Sequence, residues 1–383
     1  MTNLKSKNKR ITLGIIGGGQ LGRMLVEAAC KLNIKTIVLD PTPKSPAGQI
    51  ADSQIIGDYK DSNKIKLLAR KVDFLTYEIE SANVKALKEL EGQGVKIQPS
   101  SNTLEIIQDK FSQKQFLTAT RIPVAPFNAI ENIADIEKTA KYLGFPLVLK
   151  ARRHGFDGRG NTLIKDKSEI KRAFNKLKGQ DLYIENFVPY KLELAVQIAR
   201  SINGEIISFP LVETIQKNNI CHLVKAPARV NKKINLAAKK LAINVIENLK
   251  GAGVFGIEMF LTKDGKVLVN EIAPRVHNSG HYTIEACNIS QFEEHVRAVC
   301  NLPLKPVNLK TKYAVMINIL GNRTGRAIPK GIKNAEKIKN VYVHIYGKSE
   351  TRPERKMGHI TVIGENISTV FLNAQRARSL ITI

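Results

Sequence analysis

The chain has no tryptophan, only four cysteines, and 34 acidic residues against 60 lysines and arginines in 383 positions. Each scarcity removes a class of protein. Cys30, Cys221, Cys287 and Cys300 are scattered without metal-ligand or redox spacing, so reduced, mostly buried thiols are expected, with no disulfide and no zinc. No apolar run approaches the ~20 residues that a membrane span needs, and the basic opening Met1 to Arg10 leads into glycines rather than a signal-peptide core. A soluble cytoplasmic protein with no membrane partner is the expectation. The formal charge of +26 would suit a nucleic-acid binder, because basic patches neutralise phosphates. With no basic block interleaved with aromatics, a lysine-rich solvated surface accounts for the charge instead, and no nucleic-acid partner is expected. Small anionic, phosphorylated substrates fit equally well. Apolar material is plentiful at 43% of residues, enough for two or three domains.

Glu258 and Glu271 flank an Asp264-Gly265 pair, the strongest short-range signal for a tight hairpin. With those two residues as the loop, Lys263 opposes Lys266, and stepping back along both strands sets Glu258 directly across from Glu271. Opposed side chains have Cβ atoms roughly 4.5–5.5 Å apart, where like charges repel. Something positive belongs between them. Two hard carboxylates with little other protein ligation suit Mg²⁺, which keeps waters and takes further ligands from substrate phosphates. Two solvated hairpin glutamates is the plainer alternative. Against it stands the stretch Asn270 to His281, where two histidines, an arginine and amides in a short non-periodic run read as a site. Strict alternation points Asn270 away from the Glu271 face, so its place in that site requires a bulge or a backbone contact.

Near the start, Ile11 to Ile16, a glycine turn at 17–22, a helical stretch to Asn33 and Ile34 to Asp40 predict strand, turn, helix, strand. Gly17, Gly19 and Gly22 have dinucleotide-binding spacing, and Asp40 stands about twenty residues on, where a ribose-binding acid would be. An oxidoreductase is one open reading. The same turn serves any phosphate brought to a helix N-terminus. Val72 to Tyr77 predicts another buried strand, whose end carries Glu78 and Glu80 as ligand groups or helix caps.

Farther along, Pro146 to Lys150 and Thr162 to Lys165 predict strands joined by a loop, Ala151 to Asn161, with three glycines and four basic side chains. Backbone N–H groups of such a loop can close over a polyphosphate. It is not a Walker loop, and a flexible hairpin connection is the alternative. Asp181 to Val188 predicts a strand running to Pro189, and Glu193 opens the next; their junction offers backbone groups to a planar base. A basic loop, Gly347 to Gly358, lies between predicted strands Val341 to Tyr346 and His359 to Ile363. It is a candidate phosphate clamp or solvated charge.

These segments together resemble the ATP-grasp enzymes and, within them, the PurK-type 5-(carboxyamino)imidazole ribonucleotide synthases. The likeness covers nearly the whole chain and is carried by Gly17 to Met24, Gln108-Asp109-Lys110, Gly155 to Asn161, Asn270 to His281 and Lys348 to His359. It implies an α/β fold in three domains. A Rossmann-like pre-ATP-grasp sheet domain would span 1–112, an ATP-grasp domain of two subdomains 113–307, and a small β-rich C-terminal domain 308–383, usually in a homodimer. The implied reaction carboxylates 5-aminoimidazole ribonucleotide with bicarbonate, converting ATP to ADP and phosphate, in purine biosynthesis. A sister ATP-grasp ligase using another ribonucleotide and an acid such as formate is the runner-up.

On that resemblance ATP and Mg²⁺ are bound, with Glu258 and Glu271 holding the metal and Lys110 and Lys150 neutralising phosphates. Gly155, Phe156, Asp157, Gly158, Arg159, Gly160 and Asn161 form the phosphate loop. Glu185, Asn186, Phe187 and Val188 receive adenine, Glu193 takes the ribose, and Gln216 and Asn270 complete the nucleotide site. Asp157 and Arg159 are the implied catalytic pair, the first orienting the substrate amine, the second stabilising carboxyphosphate. Gly19, Gln20, Glu80, Arg275, His277, Lys348 and Arg355 bind the ribonucleotide. Two positions depart from the family pattern. Phe156 replaces a common tyrosine and loses its hydroxyl, and Gln216 replaces a usual histidine, keeping hydrogen bonding but not titration.

Overall fold

The structure, a computed structural model, describes residues 10–153, 155, 160–218 and 220–383. Near-continuous apolar runs open the chain and make a parallel sheet, as strands covered on both faces do. β1 (Thr12–Ile16), β2 (Lys35–Asp40), β3 (Ser53–Ile56) and β4 (Phe74–Tyr77) lie in the order β3-β2-β1-β4, all parallel. The helix Gln20–Lys31 follows the glycine turn and buries Leu21, Met24 and Leu25 against Phe292, Val296 and Val299 of the helix Gln291–Val299.

The turn itself is shaped by Glu78. Gly17 has φ 95°, and a Cβ there would stand 2.8 Å from the Glu78 side chain. The Gly19 N–H donates to Glu78 Oε1 at 2.7 Å, and the Gly18 N–H donates to Asp40 Oδ2 at 2.8 Å. Of the groups that a dinucleotide would use, the Gly18 N–H is thus bonded to Asp40 and the Gly19 N–H to Glu78. The fingerprint spacing serves close packing here, which removes the support for the oxidoreductase reading.

A smaller antiparallel sheet follows. β5 (Phe127–Ile130), β6 (Leu147–Ala151), β7 (Asn161–Ile164) and β8 (Leu182–Asn186) run in the order β5-β8-β6-β7. Helices Ile133–Leu143 and Ile170–Lys176 cover it, joining Ile136, Ile170 and Ala173 to Leu147, Leu149 and Ile184. The two strands expected around the glycine loop pair with one another, Lys150 opposite Asn161.

Among the described residues the largest sheet has nine strands. Its first six are β9 (Tyr190–Arg200), β10 (Ile206–Ser208), β11 (Val212–Lys217), β12 (Ile220–Ala226), β13 (Gly253–Thr262) and β14 (Val267–Ala273). The chain continues through β15 (Tyr313–Leu320), β16 (Gly325–Arg326), β17 (Val341–Ile345), β18 (Glu350–Thr351) and β19 (Lys356–Gly364). The order is β14-β13-β9-β11-β12-β15-β19-β17, with β10 on β9, while β16 and β18 form a separate ribbon. Because β12 pairs directly with β15, the C-terminal strands extend the central sheet. Helix Lys232–Leu249 packs Ala238, Ala242 and Val245 on one part, and helix Ile367–Leu380 packs Val370, Ala374 and Ala377 on the other. Small residues facing the sheet let both helices approach closely. No helix of the described residues is long and apolar enough to cross a membrane.

Candidate active site

The hairpin β13–β14 sets Glu258 opposite Glu271, as counting along the sequence predicts, but by a different route. Thr262 N–H donates to Lys266 O at 2.9 Å and Gly265 N–H to Thr262 O at 3.1 Å, so the loop is three residues, Lys263 to Gly265. Gly265 sits at φ 84°, the left-handed position that such loops need. By itself this loop would place Glu258 across from Asn270. A bulge then restores the register, since Met259 pairs with Val269 while Glu258 pairs with Glu271, leaving Asn270 as the extra residue. The same bulge lets Asn270 and Glu271 line one cleft, which strict alternation forbids.

That cleft measures about 1110 Å³ and draws on every part of the chain. The parallel sheet contributes Gln20, Glu78 and Glu80; the small sheet Lys150, Asn161 and Glu185; the large sheet Glu258, Glu271 and Lys356. Lys110 opens the helix Lys110–Ala119 and puts its Nζ 2.9 Å from Glu271 Oε2. Burial disfavours the Glu271 anion, yet Lys110 outweighs it and holds the carboxyl below the usual range. Glu258 fares differently. Burial, then Glu271 and Glu193, push it up to about 7. His277 Nε2 lies 3.6 Å from Glu258 Oε1 but is itself pushed down to about 3, by burial, Arg275 and Lys356, and so brings no charge.

One carboxylate of the pair is therefore held by a lysine ion pair, while the lysine charge that reaches the other does not offset its burial. Among the described residues no cluster of three or more His, Cys, Asp and Glu could hold a metal. A cation held there by two carboxylates would complete its shell with water and phosphate oxygens.

Asp109 fixes where Lys110 stands. It caps the helix by accepting from Phe111 N at 3.0 Å and Ser112 N at 3.1 Å, and it takes the Arg152 fork, Nη2 at 2.8 Å and Nε at 3.1 Å. Lys110 N–H donates to Arg152 O at 2.8 Å, tying the start of the glycine loop to the helix. On the opposite wall, Glu193 accepts from Tyr190 and Gln216, and Tyr190 stacks on Phe260 with centroids 4.8 Å apart. Arg275 Nη2 reaches Glu80 Oε1 at 2.9 Å, joining the large sheet to the parallel one.

Lys110, Lys150, Gly155, Asn161, Glu185, Asn186, Phe187, Val188, Glu193 and Gln216 line the cleft, as do Gln20, Glu80, Glu258, Asn270, Glu271, Arg275 and His277. Gly19, Gly160, Lys348 and Arg355 do not. Gly19 is packed on Glu78, Lys348 Nζ donates to Lys356 O at 2.7 Å, and Arg355 Nη1 donates to Glu350 O at 2.7 Å. Phe156, Asp157, Gly158 and Arg159 lie outside the described residues. Sequence reasoning passed over Lys356, because the last basic loop gives way to β19 at that residue, three before the expected strand. It also passed over Lys114, although four residues beyond Lys110 is the spacing that shares a helix face.

Residues 10–108 match the ribonucleotide synthetase preATP-grasp domain, 115–292 the ATP-grasp domain, and 314–371 the phosphoribosylaminoimidazole carboxylase C-terminal domain. The N5-carboxyaminoimidazole ribonucleotide synthase of Bacillus subtilis is 41% identical over 349 residues, spanning 91% of this chain and 90% of that protein. The phosphoribosylaminoimidazole carboxylase of Ogataea methanolica is 47% identical over 365 residues, spanning 93% of this chain and 67% of that protein. The chain thus covers about two thirds of the length of such fungal relatives. Among solved structures, N5-carboxyaminoimidazole synthase from Aspergillus clavatus, in complex with ADP and 5-aminoimidazole ribonucleotide, superposes with a TM-score of 0.90. It is 38% identical, covering 97% of this chain and 98% of that one.

Proposed function

The chain belongs to the N5-carboxyaminoimidazole ribonucleotide synthase family, and from that membership we propose how its own residues carry out the ATP-dependent carboxylation of 5-aminoimidazole ribonucleotide by bicarbonate in purine biosynthesis. The observation that carries the reading is the opposed pair Glu258 and Glu271, only one of them matched by a lysine, in a cleft built by all parts of the chain.

Bicarbonate is a poor electrophile. One of its oxygens attacks the γ-phosphorus, ADP leaves, and carboxyphosphate results; loss of phosphate frees CO₂ for capture by the exocyclic amine, which gives up a proton. Glu258 and Glu271 would hold Mg²⁺, which would neutralise charge on the phosphate oxygens. Lys110 and Lys150 face the phosphates from either side. Backbone from Glu185 to Val188 meets adenine, and Glu193, held by Tyr190 and Gln216, accepts from ribose hydroxyls. Gln20, Glu80, Arg275 and His277 face the ribonucleotide. His277 acts there as a neutral hydrogen-bonding group. Lys348 and Arg355 shape the wall from which Lys356 projects. Asp157 and Arg159 take the proton and stabilise carboxyphosphate.

The assay is ADP release with Mg²⁺, ATP and labelled bicarbonate, with and without 5-aminoimidazole ribonucleotide. Stimulation by the ribonucleotide, with one label fixed per ATP, is expected. Turnover indifferent to it, with no label fixed, would sink the reading and leave a sister ligase using another acid and ribonucleotide. We further propose a cytoplasmic homodimer with domain divisions near 112 and 307. A light-scattering mass equal to one chain would remove the dimer.

A further inference from the structure

The helix that presents Lys110 to Glu271 presents a second lysine one turn on. Lys114 is buried, its side chain 3% exposed, and its Nζ lies 3.1 Å from Oε2 of Glu185, itself 5% exposed. The other oxygen of Glu185 is taken by Lys150, which stands diagonally across from it on the neighbouring strand β6. One buried carboxylate therefore carries two cations. Lys150 and Glu185 line the cleft and Lys114 does not.

A single lysine would already balance Glu185. With only that lysine, however, Lys150 could not turn to a polyphosphate without stranding a carboxylate in a dry environment, a costly arrangement. The second cation removes that conflict. Its position is fixed from outside the nucleotide cavity, because the side chain of neighbouring Gln113 is bonded to the backbone of Ile272 in both directions, 2.9 and 3.2 Å, docking the helix on β14.

Resting on the nucleotide reading of the cleft, we propose that Lys114 is a positioning residue, a fixed counter-cation that keeps Glu185 ionised so that Lys150 is free to serve the phosphates of ATP. Burial disfavours the charged form of both groups, but the two lysines together hold Glu185 down to about 2. The Lys114 ammonium is weakened by burial and by Lys150, and supported by Glu185. The other ionisable groups facing the cluster are Tyr183 on β8 and Glu271 on β14. Lys110 is paired with Glu271.

The test is calorimetric binding of ADP to the full chain in two buffers of different ionisation enthalpy. At about pH 8.5 the nucleotide and free carboxylates are ionised. Lys114→Met should weaken ADP binding by about tenfold or more, with proton uptake absent from wild type, as Glu185, left without a cation when Lys150 turns to the phosphates, takes a proton from solution. The gap to wild type should narrow at about pH 6. Lys114→Met/Glu185→Gln should recover most of the lost affinity and abolish the extra uptake, and Lys114→Arg should behave nearly as wild type. Lys114→Met with wild-type affinity and no uptake overturns the proposal. So does a double variant as weak as the single one. If Lys114→Met fails to fold, the double variant and Lys114→Arg decide, since loss of ADP binding in both overturns it. Wild type that binds no ADP would instead remove the nucleotide reading itself.

Discussion

Glu258 and Glu271 face one another across the hairpin, yet the Lys110 ammonium forms its ion pair, at 2.9 Å, with Glu271. The asymmetry separates the two residues experimentally. Both glutamine variants should lose Mg²⁺-dependent turnover by about 10²-fold or more, because each removes an anionic oxygen from the proposed metal site. Only Glu271→Gln leaves a buried ammonium without its partner. It should destabilise the protein by about 1–2 kcal/mol, a figure reduced for the partial exposure of Glu271, whereas Glu258→Gln should not destabilise it. Chemical denaturation beside ADP release checks both, and equal destabilisation would contradict the assignment of Lys110.

Asp109 carries a pH-dependent share of stability. Burial opposes its charge, but the Arg152 fork and the capped N–H groups win, holding its pKa below the usual aspartate range. A depressed acid stabilises above its unfolded pKa, and that contribution is lost as pH falls through the folded one. Asp109→Asn should therefore cost about 2–4 kcal/mol at neutral pH. The gap to wild type should close progressively below about pH 4. Urea midpoints over that range measure it, and a pH-independent gap would show that the cap, not the ion pair, dominates.

Local pattern carried more of this molecule than long-range pairing did. The helix after the first glycine turn and the strands flanking the second glycine loop follow from apolar runs and turn residues. The Glu258 register was legible only because a longer loop and a bulge cancel, and neither has a distinctive sequence mark. The turn at Gly17 shows the opposite problem. Its spacing is a phosphate signal, but its partner is Glu78, some sixty residues on, and no local pattern reports that contact. The pairing of β12 with β15 spans about ninety residues and joins what the family resemblance implied as separate domains.

Glu294 is fully buried on the helix Gln291–Val299, one oxygen accepting from Lys305 N at 2.9 Å. Burial pushes its pKa up to about 7. For a raised acid the folded state retains a proton that the unfolded chain has lost, so stability falls as pH rises from the unfolded pKa to about 7 and is level beyond. Glu294→Gln mimics the protonated form. Its advantage should be negligible below about pH 4.5 and reach ~3 kcal/mol above neutrality. Melting curves at several pH values test this, and a constant offset would refute it. ADP release should be unchanged, since Glu294 does not line the cleft.

Arg275 couples two halves of the site through its contact with Glu80 at 2.9 Å, on the side of the cleft proposed for the ribonucleotide. Its guanidinium is suited to a substrate phosphate or to orienting Glu80, and in either role it acts on one substrate only. Arg275→Ala should raise KM for 5-aminoimidazole ribonucleotide by about 10- to 100-fold while changing KM for ATP less than about threefold. Arg275→Lys keeps the charge but not the fork and should recover only part of the loss. If KM for ATP rose in step, Arg275 would be holding the sheets together, and its variant should then also unfold at lower denaturant than wild type.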